Sequence, residues 1–336
     1  GELDAEMLTP ESEHSAMSAC ISASLTGARV FTATSSQGLL LMHELLHYAA
    51  GARASIVMFN VNRTPASPWG FWPDQLDSLA QRDTGWVQLY SECPQESLDS
   101  VIQAFRIAES VNIPTMISHD AFYVSHAVEP IEVPSQSLVD KYLPAFAPEI
   151  CLDTELGRSF GAPIDQSTWN RSRRDLAASM SQVDDAVVEA GKAWGDLTGR
   201  HYGPLEHYKT EDADTVLVTM GSMCGTARDA VDAMREKGIS VGLLKVRQFR
   251  PFPAAQLREA LRHTNCALVL DRNYSPGVGG ILHQELKAAL YGAGQAPRIH
   301  GLMAGVGGVN VPSSKIQQFV ADYRDATPSI ESVWVE

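Results

Sequence analysis

Short apolar runs that alternate with longer amphipathic stretches predict an α/β fold with mostly parallel sheet, and the alternation occurs twice along the 336 residues. Runs such as Ile56-Val57-Met58-Phe59 and Val216-Leu217-Val218 are apolar on both faces, as strands covered by helices on each side must be. Five prolines between 130 and 163 then interrupt the pattern and separate two α/β units.

Each element follows from local chemistry. Residues 15–27 read as an Ala- and Ser-rich helix stopped by Gly27, 29–33 as a strand, 34–38 as a turn with capping residues, and 39–50 as an apolar helix. Strands are expected at 55–61, 86–90 and 113–118, with helices over 74–82 and 95–110. The division is into a first domain over 1–130, an extended crossover with helical periodicity over 172–199 inside 131–205, and a second α/β domain over 206–336. In that last part, strands are expected at 214–220, 239–246, 266–271 and 298–303. Helices run from the 221–226 turn to a stop at Gly238, over 253–263, and over 279–291.

The formal net charge of −14 disfavours nucleic-acid and anionic-membrane partners, which reward a basic surface. Cys20, Cys93, Cys151, Cys224 and Cys266 are odd in number and far apart. They offer no disulfide framework, zinc site or iron–sulfur ligand set, and a reducing, cytoplasmic setting is expected. No stretch is long and apolar enough for a membrane span, and no secretory signal is read at the start.

Several segments carry possible chemistry. Glu11-Ser12-Glu13-His14 precedes the first helix, where carboxylates either cap the free N–H groups or hold a proton for a nitrogen base. Thr34-Ser35-Ser36-Gln37-Gly38 lies between a strand and a helix, at the carboxyl end of a sheet where ligands bind. Arg63 follows a strand and is placed either for a surface ion pair or to grip a carboxylate in bidentate fashion. Pro68-Trp69-Gly70-Phe71-Trp72-Pro73 suits a pocket wall or a subunit interface. Gly277-Val278-Gly279-Gly280 weakly resembles a phosphate-cradling loop. His14, His43, His47, His119 and His126 lack metal-ligand spacing and read as hydrogen-bonded structural histidines.

Taken together, Glu11 to Ala16, Phe31 to Leu39 with Met42-His43-Glu44, Asn62-Arg63 and Gln81 to Trp86 resemble the first domain of the α subunit of pyruvate:ferredoxin oxidoreductases and their 2-oxoacid relatives. Glu211 to Asp214, Thr219 to Ser222, Gly242 to Lys245, Arg247 to Pro253 and Leu270-Asp271-Arg272 resemble that subunit's second domain. The resemblance implies a transketolase-like pyrimidine-binding domain for thiamine diphosphate, followed by a transketolase C-terminal-like domain. It implies oxidative decarboxylation of pyruvate, with coenzyme A as acyl acceptor and ferredoxin as electron acceptor. A partner β subunit would hold the diphosphate and Mg2+, and further γ/δ-type subunits would carry [4Fe-4S] clusters. Glu13 matches the glutamate that hydrogen-bonds the aminopyrimidine ring, and Arg63 the arginine that binds the 2-oxoacid carboxylate. Ser35 and Gln37 fall in the segment expected to touch the cofactor. Family members usually begin with a strand and a Tyr-Pro-Ile-Thr-Pro segment, which would lie before Gly1. Trp72-Pro73-Asp74-Gln75-Leu76-Asp77 stands where pyruvate-type relatives often read Trp-Asn-Asp-His-Ser-Asp, so 2-oxoglutarate, a branched-chain 2-oxoacid or oxalate is an alternative substrate, and the missing Tyr-Pro-Ile-Thr-Pro segment makes a non-catalytic scaffold a further reading.

Overall fold

The computed structural model describes residues 5–335, so the opening Gly1-Glu2-Leu3-Asp4 segment lies outside the described residues. The strands are β1 (Val30–Ser35), β2 (Ile56–Asn62), β3 (Val87–Ser91), β4 (Thr115–Asp120), β5 (Leu205–Tyr208), β6 (Thr215–Thr219), β7 (Val241–Val246), β8 (Gln248–Arg250), β9 (Cys266–Asp271), β10 (Arg298–Met303) and β11 (Val333–Trp334). The helices are α1 (Glu13–Leu25), α2 (Gln37–Leu41), α3 (His43–Gly51), α4 (Leu76–Leu79), α5 (Pro94–Val111), α6 (Gln136–Tyr142), α7 (Gln166–Met180), α8 (Val183–Thr198), α9 (Met223–Arg235), α10 (Ala254–Leu261), α11 (Ile281–Leu290) and α12 (Ser313–Tyr323).

Two sheets result. The first has the order β1-β2-β4-β3-β8, with β1 to β4 parallel and β8 antiparallel at the edge; the second has the order β11-β10-β9-β6-β7-β5, parallel except for β5. Every residue of β3, β4, β6, β7 and β9 is buried; β6 and β9 are largely apolar runs, whereas β3 and β4 also bury polar residues such as Gln88, Ser118 and Asp120. Helix α5 shows why boundaries fall where they do. Pro94 supplies the fixed φ of a first turn, and Asn112 ends the helix in the left-handed region at φ 51°.

The departures from expectation have local causes. The helix expected over 74–82 contracts to the single turn of α4, because its polar residues bond to other segments instead of continuing the spiral: Gln75 N donates to Arg272 O, and Asp77 accepts from Ser36 N and Arg63 N. The helical stretch over 172–199 is two helices that meet at Ser181 and Gln182, and α6 lies within the proline-rich crossover. Strand β8 lies in the second half of the sequence but pairs with β3 of the first sheet. Leu79 and Tyr90 likewise belong to an apolar cluster with Val218, Leu244, Phe249 and Leu257. The two halves are therefore joined by backbone pairing and by a common core.

Candidate functional site

The first sheet delivers its carboxyl-end residues to one region. Strand β1 ends at Ser35, β2 ends at Asn62 just before Arg63, and the two strands pair in parallel with Ser35 opposite Val61. Arg63 Nε donates to Ser35 Oγ at 3.2 Å, and its Nη2 donates to Gln37 Oε1 at 3.0 Å. The guanidinium carbon lies 5.0 Å from the Trp69 ring centre, a cation–π contact on its flank. Three of the residues singled out from sequence thus meet, with Ser35 and Gln37 fixing the arginine while Nη1 has no hydrogen-bond partner among the described residues.

Glu13 arrives from the other side of the same turn. Ser12 caps α1 by accepting from Ser15 N at 3.2 Å, which makes Glu13 the first helical residue. A Cβ on Gly38 would lie 2.7 Å from Glu13 Oε1 and 2.6 Å from Thr34 Oγ1, so the carboxylate rests on bare backbone that no side chain could share. Glu13 is exposed, and its acidic neighbours are occupied elsewhere: Glu11 accepts from Ser15, and Glu44 lies 3.9 Å from His14. An uncommitted carboxylate set over a glycine fits a flat nitrogen heterocycle better than it fits helix capping alone.

Beneath the turn lies a polar network absent from the sequence reading. Asp77 Oδ2 accepts from Ser36 N at 3.0 Å, Arg63 N at 3.2 Å and Asn60 Nδ2 at 3.3 Å, while Oδ1 accepts from Ser78 N at 2.7 Å. Burial pushes the Asp77 carboxyl up to about 7, against the downward pull of these donors. Ser78 Oγ and Asn62 Oδ1 extend the network to the Tyr90 hydroxyl. Ser36 itself has φ 48° and ψ −112°, an unusual conformation for a residue with a side chain. The signal for Asp77 was present only as the last residue of the 72–77 segment, and its donors are distant in sequence.

The remaining candidates find other roles. Trp72 stacks on Phe122 with ring centres 5.0 Å apart, and Phe122 on His126 at 4.7 Å, which forms a partly exposed aromatic ladder. The glycine loop before α11 is closed to anions because Asp271 already accepts from Leu282 N at 2.9 Å and His283 N at 3.0 Å. His43 bonds to Gln81, His119 to Ser97 and His126 to Ser125, whereas His47 stacks edge-on against His43. Among the described residues, no group of three or more His, Cys, Asp or Glu gathers as metal ligands, and no helix is long and apolar enough to cross a membrane.

Comparison with known proteins gives the family and the fold. Residues 1–191 match the family model "Pyruvate flavodoxin/ferredoxin oxidoreductase, thiamine diP-bdg", and residues 213–316 match "Pyruvate:ferredoxin oxidoreductase core domain II". The pyruvate synthase subunit PorA of Methanothermobacter thermautotrophicus is 43% identical over 337 residues, covering 100% of this chain and 86% of the relative. The ketoisovalerate oxidoreductase subunit VorA of Pyrococcus horikoshii is 46% identical over 331 residues, covering 98% and 84%. Both relatives are subunits of larger enzymes by name. Among solved structures, a 2-oxoglutarate:ferredoxin oxidoreductase from Magnetococcus marinus superposes with TM-score 0.67 at 16% identity, over 95% of this chain and 57% of that one. A split-gene transketolase superposes with TM-score 0.54 at 13% identity, over 93% of this chain and 81% of that one. The transketolase-like fold is thus shared, and the chain belongs to the pyruvate flavodoxin/ferredoxin oxidoreductase family, carrying its thiamine-diphosphate-binding domain and its core domain II.

Proposed function

We propose that the chain is the α subunit of a 2-oxoacid:ferredoxin oxidoreductase that interconverts pyruvate and acetyl-coenzyme A. Electrons would pass to ferredoxin through iron–sulfur clusters of γ/δ-type partner subunits in the cytoplasm. The observation that carries the reading is the placement of Glu13 against Gly38 and of Arg63 against Ser35 and Gln37, on one turn, in a chain that matches a pyruvate synthase subunit along its whole length.

Each residue then has a stated task. The Glu13 carboxyl would hold the aminopyrimidine of thiamine diphosphate by a hydrogen bond and would share a proton with its ring nitrogen. Bound thiamine diphosphate supplies a nucleophilic carbon and an electron sink for decarboxylation. Arg63 grips the 2-oxoacid carboxylate through Nη1, with Ser35 and Gln37 limiting its rotation so that the keto carbon is held in place. The diphosphate and Mg2+ are assigned to a β subunit, which would also cover the exposed Glu13 face and strengthen its electrostatics by excluding water.

A second reading keeps the chemistry and changes the acid. The 46% identity to a ketoisovalerate enzyme subunit, together with the altered 72–77 segment, favours a branched-chain 2-oxoacid as the alternative substrate. The test is 2-oxoacid-dependent dye reduction by the anaerobically purified complex, with pyruvate and 2-oxoisovalerate, in parent and Glu13→Gln. The variant is expected to lose about a hundredfold in kcat, within the range of a removed acid–base group. A preference for 2-oxoisovalerate would select the second reading. Full activity in Glu13→Gln would remove this chain from the chemistry.

A further inference from the structure

The side chain of Asp77 is fully buried, and its carboxylate gathers donors from separate segments of the chain. One is the Ser36 N–H in the turn that follows β1, and another is the Arg63 N–H immediately after β2. A third is Asn60 Nδ2 from within β2. The same two turns carry Ser35, Gln37 and the Arg63 side chain that meet above. Ser36 Oγ donates to Thr64 O at 2.8 Å, a second tie between these turns. A residue with φ 48° and ψ −112° keeps that conformation only where its surroundings fix it, and the bond from Ser36 N to Asp77 holds it from below.

We infer that Asp77 is a positioning residue for the substrate end of the site: its buried carboxylate clamps the β1–α2 turn to the residue after β2, so that Arg63, held by Ser35 and Gln37, is aimed at the 2-oxoacid carboxylate. The inference rests on the substrate role proposed for Arg63. Asp77 touches neither substrate nor cofactor in this scheme. It acts by fixing two backbone N–H groups whose side chains, or whose neighbours' side chains, do the binding. Its effect should therefore appear in substrate affinity and should vanish when Arg63 is gone.

The experiment uses the assembled complex, with intact assembly checked by size-exclusion chromatography and thermal melting. Kinetics are measured with the preferred 2-oxoacid for Asp77→Ala, Asp77→Asn, Arg63→Met and the Asp77→Ala/Arg63→Met double variant. Asp77→Ala should raise KM by about tenfold while kcat changes by less than about threefold. Asp77→Asn keeps the volume and one acceptor, so its KM should fall between those of parent and alanine variant. If the alanine variant fails to assemble, a rise of about threefold in the asparagine variant still carries the test. In the Arg63→Met background, loss of Asp77 should change KM by less than about twofold, because the two residues act as one unit. An unchanged KM in both single Asp77 variants, or a full Asp77 effect on top of Arg63→Met, would overturn the inference while leaving Arg63 in its role. An unchanged KM in Arg63→Met would instead sink the substrate role of Arg63 and take the inference with it.

Discussion

Gly38 sets the geometry of the site more tightly than any charged residue does. It sits in the first turn of α2 with an ordinary helical backbone, so an alanine there would suffer no torsional strain. The obstacle is space, since the added Cβ would meet Thr34 Oγ1 at 2.6 Å and the Glu13 carboxylate at 2.7 Å. The Glu13 carboxylate would swing away, while the short Thr34 side chain has little room to do so. Gly38→Ala is therefore expected to keep the fold but to weaken thiamine diphosphate binding and lower activity by about tenfold. Cofactor titration followed by activity recovery checks this, and an unchanged cofactor affinity would show that Glu13 can move freely. Arg63, Ser35 and Gln37 could be singled out from sequence because each sits in a short motif beside a strand end, and Glu13 because it stands in an acidic cluster that opens the first helix. Asp77 could not. A carboxylate in a short amphipathic stretch reads as a solvated helix residue, and only folding brings Ser36, Asn60 and Arg63 around it.

Most parallel strands were legible because buried strands carry apolar residues at short intervals, and β2, β3, β4, β6 and β9 fall within two or three residues of the expected ranges. Elements whose existence depends on distant partners were not. Strand β8 is three residues long, and its only ladder is to β3, well over a hundred residues earlier. Strand β5 has four residues, and its burial gives it no apolar signature. The contacts between elements also hold charges out of water, which no local pattern announces. Asp120 at the end of β4 is fully buried and accepts from Arg272 Nη1 at 3.0 Å, from Ser222 N at 2.9 Å and from Gln75 Nε2 at 3.1 Å. The pair joins the first sheet to the loop after β9 and to the start of α9. Removing one partner of a buried pair leaves an uncompensated charge, so Arg272→Met is expected to destabilise the chain by about 3 kcal/mol. Adding Asp120→Asn should recover part of that loss, because the stranded charge is gone. Denaturant titration of parent, single and double variants checks this, and a single variant as stable as the parent would mean that water reaches Asp120.

The halves fold as one body, since β8 completes the first sheet, Leu79 and Tyr90 share a core with Phe249, and Lys245 reaches Glu96 at 2.8 Å with both side chains buried. A single cooperative unfolding transition is therefore expected, and its response to acid sums over groups in both halves. Burial lowers His119 at the end of β4 to about 4, and also lowers His283 in α11 to about 4. Each is neutral when folded and takes up a proton on unfolding once the pH drops below about 6.5. Their stabilisation is thus fully present above pH 6.5 and is lost as pH falls toward 4, because the unfolded state binds more protons there. The buried carboxyls act in the opposite sense. Asp77 is raised to about 7, and Asp74 and Asp271 to about 6, all by burial. Their protonated forms favour the fold, so their contribution grows as pH falls through the same window. The net pH dependence of the parent is a difference of two terms, and the histidine term can be isolated by substitution. His119→Gln cannot charge, so it should lose less stability than the parent between pH 7 and pH 5. The gap should be about 2 kcal/mol, the linkage expected for a neutral buried imidazole over that range. Urea midpoints at the two pH values measure it, and parallel shifts in parent and variant would show that His119 is already protonated or solvated in the folded chain. The same comparison at His283 tests whether the second half contributes independently, since His119 lies in β4 of the first sheet and His283 in helix α11 of the second half, and their effects should add.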